Sequence, residues 1–270
     1  MRERSSRRAW RVAAACGLLA ASAAQGAEFI GLNPYVCAGS SPFASTAFDV
    51  FERDTFESGA MSAPGLSASA GAVLPPGAGT DSVDCDDGAV DSFGRGGHSW
   101  GAELGEPGVV FSFDAGALRG RLPTHAGVVW TDGATVNTVV FEALGPGGES
   151  LGVLSFPFQG DESLDGRTSE DRFVGVIFAA GISAIRIAAL PAPATDGETL
   201  EVDHVQFGVG RCDGDADWDG AVSFPDVVAV LRNWGGAYAP ATGPGDADRD
   251  GVVSFPDVVA VLRGWGDFCY

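Results

Sequence analysis

The feature that most constrains this chain is a repeat. "DADWDGAVSFPDVVAVLRNWGG" starts at Asp215, and "DADRDGVVSFPDVVAVLRGWG" starts thirty-one residues later at Asp246. Each copy sets carboxylates at positions 1, 3, 5 and 12 of a twelve-residue loop: Asp215, Asp217, Asp219 and Asp226, then Asp246, Asp248, Asp250 and Asp257. Gly220 and Gly251 fall at position 6, where the chain must turn sharply, and Ser223 and Ser254 fall at position 9. Four carboxylates in one short loop repel one another unless a cation sits among them. Calcium is a hard cation that takes about 6–8 oxygen ligands, and a loop of this spacing wraps it. Position 7 supplies a backbone carbonyl, here from Ala221 and Val252, and position 9 often acts through a water. Asp at position 12 is shorter than the usual Glu, so its carboxylate has to come closer to bind through both oxygens. A capped turn accounts for Ser-x-x-Asp with Pro in the first turn. It accounts for neither the alternating aspartates nor the glycine, both of which occur twice.

After each loop runs "PDVVAVLR". Val227, Val228, Val230, Leu231 and Trp234, and their counterparts Val258, Val259, Val261, Leu262 and Trp265, recur at helical spacing, with Gly235 placed to stop the first helix. The preceding "QFGVGRC" and "GAYAPATGPG" read as a strand exit and a Gly/Pro linker, so each unit is a loop plus an exiting helix. A sensor EF-hand, by contrast, is helix–loop–helix.

Over 212–270 the chain resembles a type I dockerin, the duplicated calcium module of cellulosome enzymes, in the form carried by many exported bacterial proteins. The resemblance implies two Ca²⁺ ions, two helices related by near two-fold symmetry, and a cohesin-like protein or cell-surface component as partner. One departure bears on that partner. Loop positions 10 and 11, where dockerins usually carry hydroxyl residues that help select a cohesin, hold Phe224–Pro225 and Phe255–Pro256. Residues 212–270 contain ten Asp, no Glu and three Arg, a net charge of −7 that two calcium ions would bring to −3. A unit this small commonly needs metal or disulfide support, so metal binding is expected to be coupled to folding.

The N-terminus has a different composition. All 16 basic residues of the chain are Arg, and five of them (Arg2, Arg4, Arg7, Arg8 and Arg11) precede the apolar "VAAACGLLAASAA" and the small-residue "AAQGAEF". That order is an export signal over 1–26, too short and Ala-rich for a membrane anchor. "SRRAW" leaves the choice between general secretory and twin-arginine routes open. The expected location is therefore secreted or at the cell surface, with no membrane span. Removing 1–26 takes away five Arg and one Glu, so the net charge of −20 becomes −24, which excludes nucleic acid as a partner.

Cys37, Cys85, Cys212 and Cys269 remain after the signal. Four cysteines in an exported chain allow three disulfide connectivities, of which their positions favour Cys37–Cys85 and Cys212–Cys269. A zinc site is disfavoured because no Cys-x-x-Cys occurs and the histidines are scattered.

Between the signal and the repeats, 28–208 reads as an antiparallel β-sandwich, jelly-roll-like. Its strands are expected at 108–114, 126–131, 135–144, 151–158, 172–179, 182–190 and 199–208, separated by "TDG", "GPGG", "GDES" and "PAPATDG". "TDSVDCDDG", "PTHAGVVWTDG", "TSEDRFVGV" and "EVDHVQFG" resemble segments of uncharacterised exported bacterial proteins that often end in a sorting tail. That likeness implies fold and export but no chemistry. His98, His125 and His204 have no neighbouring nucleophile motif, and His125 and Asp132 read as turn residues. Asp84, Asp86, Asp87, Glu170 and Asp171 read mostly as solvated loop carboxylates. Alternation puts Asp203 on the same face as Val205 and Phe207. If that face is inward, the carboxylate needs a partner: a salt bridge, or a structural calcium shared with Glu57 or Asp54, as in carbohydrate-binding sandwiches. The expected role is attachment or assembly, with the sandwich as a binding or structural unit. The alternative is a polysaccharide-degrading enzyme or a sugar-binding accessory protein.

Overall fold

A computed structural model describes residues 26–103, 107–133, 138–157, 166–190, 199–238, 243–267 and 269. The expected signal at 1–26 lies outside them except for Gly26, as does the middle of the linker between the repeats. No helix of the described residues is long and apolar enough to cross a membrane.

Strands β1 (Glu28–Pro34), β2 (Phe48–Asp54), β3 (Leu66–Ala68), β4 (Ala72–Leu74), β5 (Ser99–Glu103) and β6 (Val109–Phe113) come first. They are followed by β7 (His125–Asp132), β8 (Thr138–Leu144), β9 (Ser150–Pro157), β10 (Arg172–Ile177), β11 (Ala184–Leu190) and β12 (Thr199–Gly210). The seven strands read from alternation are β6 to β12. The five others were missed because β3 and β4 are three residues long and β1 buries no residue fully.

All pairing between strands is antiparallel, in two sheets that pack together. One sheet runs β1-β10-β7-β12-β5-β4, with β2 continuing along β12 where β5 leaves off. The other runs β3-β6-β11-β8-β9. Between them lies an apolar core that includes Trp130, Phe111, Phe141, Ile185, Leu200 and Phe207.

The first sheet is covered on its other face too. There Tyr35, Phe43, Val83, Val129 and Phe173 form a second cluster beneath segments tied together by the Cys37–Cys85 disulfide. Burial on both faces explains why every residue of β7 is buried, as in a central strand with no solvent side. It also corrects the reading of His125 and Asp132 as turn residues. They open and close β7 from opposite ends and are buried.

A bulge in β12 overturns the simple alternation around Asp203. Asp203 pairs with Val129, yet Gln206 pairs with Gly127, so β12 carries one residue more than β7 over this interval. His204 takes up the extra length in a left-handed conformation, φ 44°. Leu200 and Val202 therefore share the inter-sheet core with Val205, Phe207 and Val209. Asp203 stands on the opposite face from Val205 and Phe207, under the 80–98 segment.

The C-terminal part holds α1 (Phe224–Arg232) and α2 (Phe255–Arg263), around a small core of Ala216, Val222, Val230, Ala247, Val253 and Val261. Cys212 and Cys269 are joined, so both disulfides match the favoured pairing. Closing a loop of sequence separation 57 stabilises the folded unit by on the order of 4 kcal/mol in the chain-entropy account.

His125 offers a test of how closely the outer cluster packs. Its ring lies against Phe43 and Phe48, with Thr124 Oγ1 2.9 Å from Nδ1, and burial lowers its pKa from 6.5 to about 4. A folded-state pKa below the unfolded value means that stability is fully present above about pH 6.5 and declines as pH falls toward 4, by up to about 3 kcal/mol. An NMR titration of the imidazole should give a midpoint near 4. A midpoint near 6.5 would show that the cluster is open to water.

Candidate metal centre

The two loops are built alike, bond for bond. In the first, Asp217 Oδ1 accepts from the Asp219 N–H at 3.1 Å and Asp219 Oδ1 from the Ala221 N–H at 3.0 Å. In the second, Asp248 Oδ1 accepts from Asp250 at 3.1 Å and Asp250 Oδ1 from Val252 at 2.8 Å. Position 6 is glycine because the turn demands it: Gly220 and Gly251 have φ of 91° and 92°. Position 4 is also left-handed in both copies, at Trp218 and Arg249.

The position-12 carboxylates do structural work from the third residue of each helix. Asp226 Oδ1 accepts from Ala216 and Asp217 at 2.7 and 3.1 Å, and its Oδ2 reaches back to the Ser223 N–H at 2.6 Å. Asp257 does the same with Ala247, Asp248 and Ser254 at 2.7, 3.2 and 2.6 Å. These bonds cap the helix and close the loop on itself. A purely structural role explains them fully.

It does not explain position 1. Asp215 and Asp246 are buried, and each uses Oδ2 to accept from the position-6 glycine N–H at 3.2 Å. Their Oδ1 atoms are buried and have no hydrogen-bond partner. A buried carboxylate oxygen left unpaired is costly, and a cation at that point would satisfy it. Carboxylate oxygens of Asp215, Asp217 and Asp226 lie within 4.8 Å of one another, as do those of Asp246, Asp248 and Asp250. Asp219 and Asp257 stand outside those tight groups. Ala221 and Ser223 are half-buried in the first loop; in the second, Ser254 is half-buried and Val252 exposed.

Burial pushes the Asp215 carboxyl up to about 6, with Arg121 pulling it down and Asp226 raising it further. Burial likewise raises Asp217, Asp246 and Asp248, helped by the neighbouring carboxylates.

The loops also meet each other. Gly214 N–H donates to Ala247 O at 3.1 Å, and Gly245 N–H, thirty-one residues on, donates to Ala216 O at 2.9 Å. Position 8 of each loop pairs with the segment that follows the other loop's helix, Val222 with 266–267 and Val253 with 235–236. Reciprocal bonds of this kind define an approximate two-fold axis between the repeats.

That symmetry is broken by the sandwich. Arg121, between β6 and β7, lies 3.5 Å from Asp215 Oδ2 and 3.6 Å from Asp49 Oδ2. Arg249, inside the second loop, pairs with Asp49 of β2. A guanidinium thus faces the position-1 carboxylate of the first loop from outside, and among the described residues no Arg forms an ion pair with Asp246 of the second.

The helices differ from expectation on one side. Val230 and Val261 are buried, but Phe224, Leu231 and Trp234, and equally Phe255, Leu262 and Trp265, are each more than half exposed. Phe224, Val228 and Leu231 stand at i, i+4 and i+7, so a second apolar stripe runs along the outside of each helix.

The carboxylates read as solvated or paired elsewhere are placed differently. Asp84, Glu170 and Asp171 are buried, together with Asp81, Glu201 and Asp203, while Asp87 is exposed. Asp54 and Glu57 do not meet Asp203. Asp54 accepts from the N–H groups of Phe56 and Ala63 at 3.0 and 2.7 Å, and Glu57 pairs with His98 at 3.4 Å. Asp203 instead accepts from the Val83 and His204 N–H groups at 3.0 and 2.6 Å. His204 bridges Tyr35 OH and Asp86 at 2.8 and 2.7 Å. The bulge hid this arrangement, and the dense carboxylates of "TDSVDCDDG" and "TSED" were the signal for it.

No family model, curated protein or solved structure matches the chain.

Arg121 supplies a prediction. Calcium in the first loop would have to compete with its charge, so Arg121→Gln should raise that loop's calcium affinity severalfold. Calorimetry in an Asp250→Ala background removes the second loop's contribution, and the difference from the chain carrying both Asp219→Ala and Asp250→Ala gives the first loop's. Unchanged or weaker binding would show that Arg121 does not oppose the ion.

Proposed function

We propose that residues 212–270 form a dockerin-like module that binds two calcium ions, one per loop. Through it, this exported protein is attached or assembled outside the cytoplasm, with the β-sandwich as its binding or structural unit. The observation that carries the reading is the pair of buried, partnerless Oδ1 atoms on Asp215 and Asp246 in two loops of matching geometry. Ligands come from positions 1, 3, 5 and 12, the position-7 carbonyls of Ala221 and Val252, and Ser223 and Ser254. The outer stripe of Phe, Leu and Trp supports an attachment role. Burying one such side chain against a partner contributes roughly 1.5–3 kcal/mol, and two-fold duplication presents the stripe twice. Its partner would be a cohesin-like protein or cell-surface component that offers an apolar surface to Phe224 and Phe255 rather than to hydroxyls.

The sandwich fits a jelly-roll-like description. Its central strands, β5-β12-β7-β10 facing β6-β11-β8-β9, follow the sheet orders of two interleaved Greek keys.

A sugar-binding role is the second reading, favoured by one feature. A depression of about 480 Å³ is lined by Phe48, Phe51, Arg53 and Gln206, with the two Phe rings 4.8 Å apart. Hydrolysis has less support, because the converging carboxylates are buried rather than set in a cleft.

Calorimetric titration of the chelator-stripped chain tests the metal assignment. Asp219→Ala and Asp250→Ala should each remove about one ion per chain. Unchanged stoichiometry in both would refute the loops as the sites. A glycan array with a parallel hydrolysis screen separates the roles of the sandwich. Binding lost in Phe51→Ala would favour the sugar reading, and the absence of both binding and cleavage would leave assembly.

A further inference from the structure

Away from the loops, the outer face of the first sheet buries a concentration of negative charge. Asp81, Asp84, Glu170, Asp171 and Asp203 are each at most 4% exposed. They come from three separate stretches: the 80–98 segment, the turn before β10, and β12 at its bulge.

Some of these carboxylates have evident structural work. Asp84 Oδ1 accepts from the Asp91 and Ser92 N–H groups at 3.0 and 2.8 Å, and Asp203 holds the Val83 N–H. Nearby, Glu201 Oε2 takes the Asp81 N–H at 2.9 Å and the Ser99 hydroxyl at 2.7 Å. The 80–98 segment is thereby pinned to alternate residues of β12.

Asp171 has no such work. It is wholly buried, and neither of its carboxylate oxygens has a hydrogen-bond partner. Burial raises its pKa, and the charges of Asp81, Asp203, Glu170 and Asp84 raise it further, so these carboxylates surround it closely enough to repel it. Without an ion, both effects push the Asp171 carboxyl well above its usual range, so it would hold a proton there. A cation satisfies both oxygens at once and lowers the repulsion from the surrounding carboxylates.

We propose that this cluster is a third cation site, in which Asp171 and Asp203, walled by Asp81, Asp84 and Glu170, hold a calcium ion inside the sandwich domain. The donors are carboxylate oxygens, which suit a hard cation. Magnesium demands a near-ideal octahedral shell at short range, whereas calcium tolerates the irregular spacing of carboxylates drawn from three separate segments. Zinc would call on His204, whose ligand atom lies within 4.8 Å of those of Asp86 and Asp203. There Tyr35 and Asp86 already engage both ring nitrogens, and the unpartnered oxygens are those of Asp171 instead. The ion would tie together segments remote in sequence and hold the 80–98 segment on the sheet.

The test is the metal content of the full chain, by calorimetry and elemental analysis after chelation and re-addition of calcium. With both loops disabled by Asp219→Ala and Asp250→Ala, one calcium should remain bound. Adding Asp171→Asn to that variant should abolish it, whereas Asp171→Asn alone should leave the two loop ions in place. No calcium in the loop-disabled chain, or a residual ion that survives Asp171→Asn, overturns the proposal. So does zinc or magnesium retained in calcium's place. The count in the loop-disabled chain decides the matter even if Asp171→Asn does not fold. A wild-type count of two with none in that variant would uphold the loops and sink only the third site.

Discussion

The structure depends on how buried negative charge is compensated. This chain has 36 acidic and 16 basic residues, all of the basic ones Arg. It nevertheless buries aspartates at the start and end of both loops and again beneath the 80–98 segment. Taking a carboxylate out of water costs several kcal/mol unless hydrogen bonds or an opposite charge replace the lost solvation. Backbone N–H groups supply much of that replacement. They account for Asp226, Asp257 and Asp54, and for both oxygens of Asp203. What they leave over is specific: one oxygen each on Asp215 and Asp246, and both on Asp171. Calcium is the divalent cation proposed for each of these three places.

The two halves of the molecule use this device differently. In the C-terminal unit the apolar core is small, and two nine-residue helices gain little from propensity alone. Helix caps, loop carboxylates and the terminal disulfide converge on the same few residues, so local order and metal binding are expected to rise and fall together. The sandwich has a large inter-sheet core and a second cluster outside it, so apolar burial dominates its stability. There a bound cation would fasten a long irregular segment over a finished sheet. Contacts between the halves run through Arg121, Asp49 and Arg249, which couples the electrostatics of the loops to that of the sandwich.

Legibility in the sequence followed physical regularity. The loops were readable because a period of thirty-one residues repeats a one-three-five-twelve carboxylate pattern around a glycine that must adopt positive φ. β6 to β12 were readable because their alternation is long enough to register. β1 to β5 were not, since short or half-buried strands lack a distinctive period. At Asp203 the alternation rule gave the wrong face because the His204 bulge inserts one residue, and no composition signal marks a bulge at His. The buried state of Asp84, Glu170 and Asp171 was hidden for another reason. Their cover comes from irregular segments whose placement rests on long-range packing and the Cys37–Cys85 bond. The outer apolar stripe of α1 and α2 was visible as hydrophobic residues, but spacing alone does not say which of two apolar faces meets the core.

The central claim is that inward-facing carboxylates of the two loops hold their geometry through a bound divalent ion. Amide hydrogen exchange across 212–269 of the full chain, in millimolar calcium and again after chelation, tests it most directly. The account predicts strong protection in α1 and α2 with calcium and its loss in both helices without it, while β7 and β12 stay protected. Equal protection of the helices under the two conditions would contradict it.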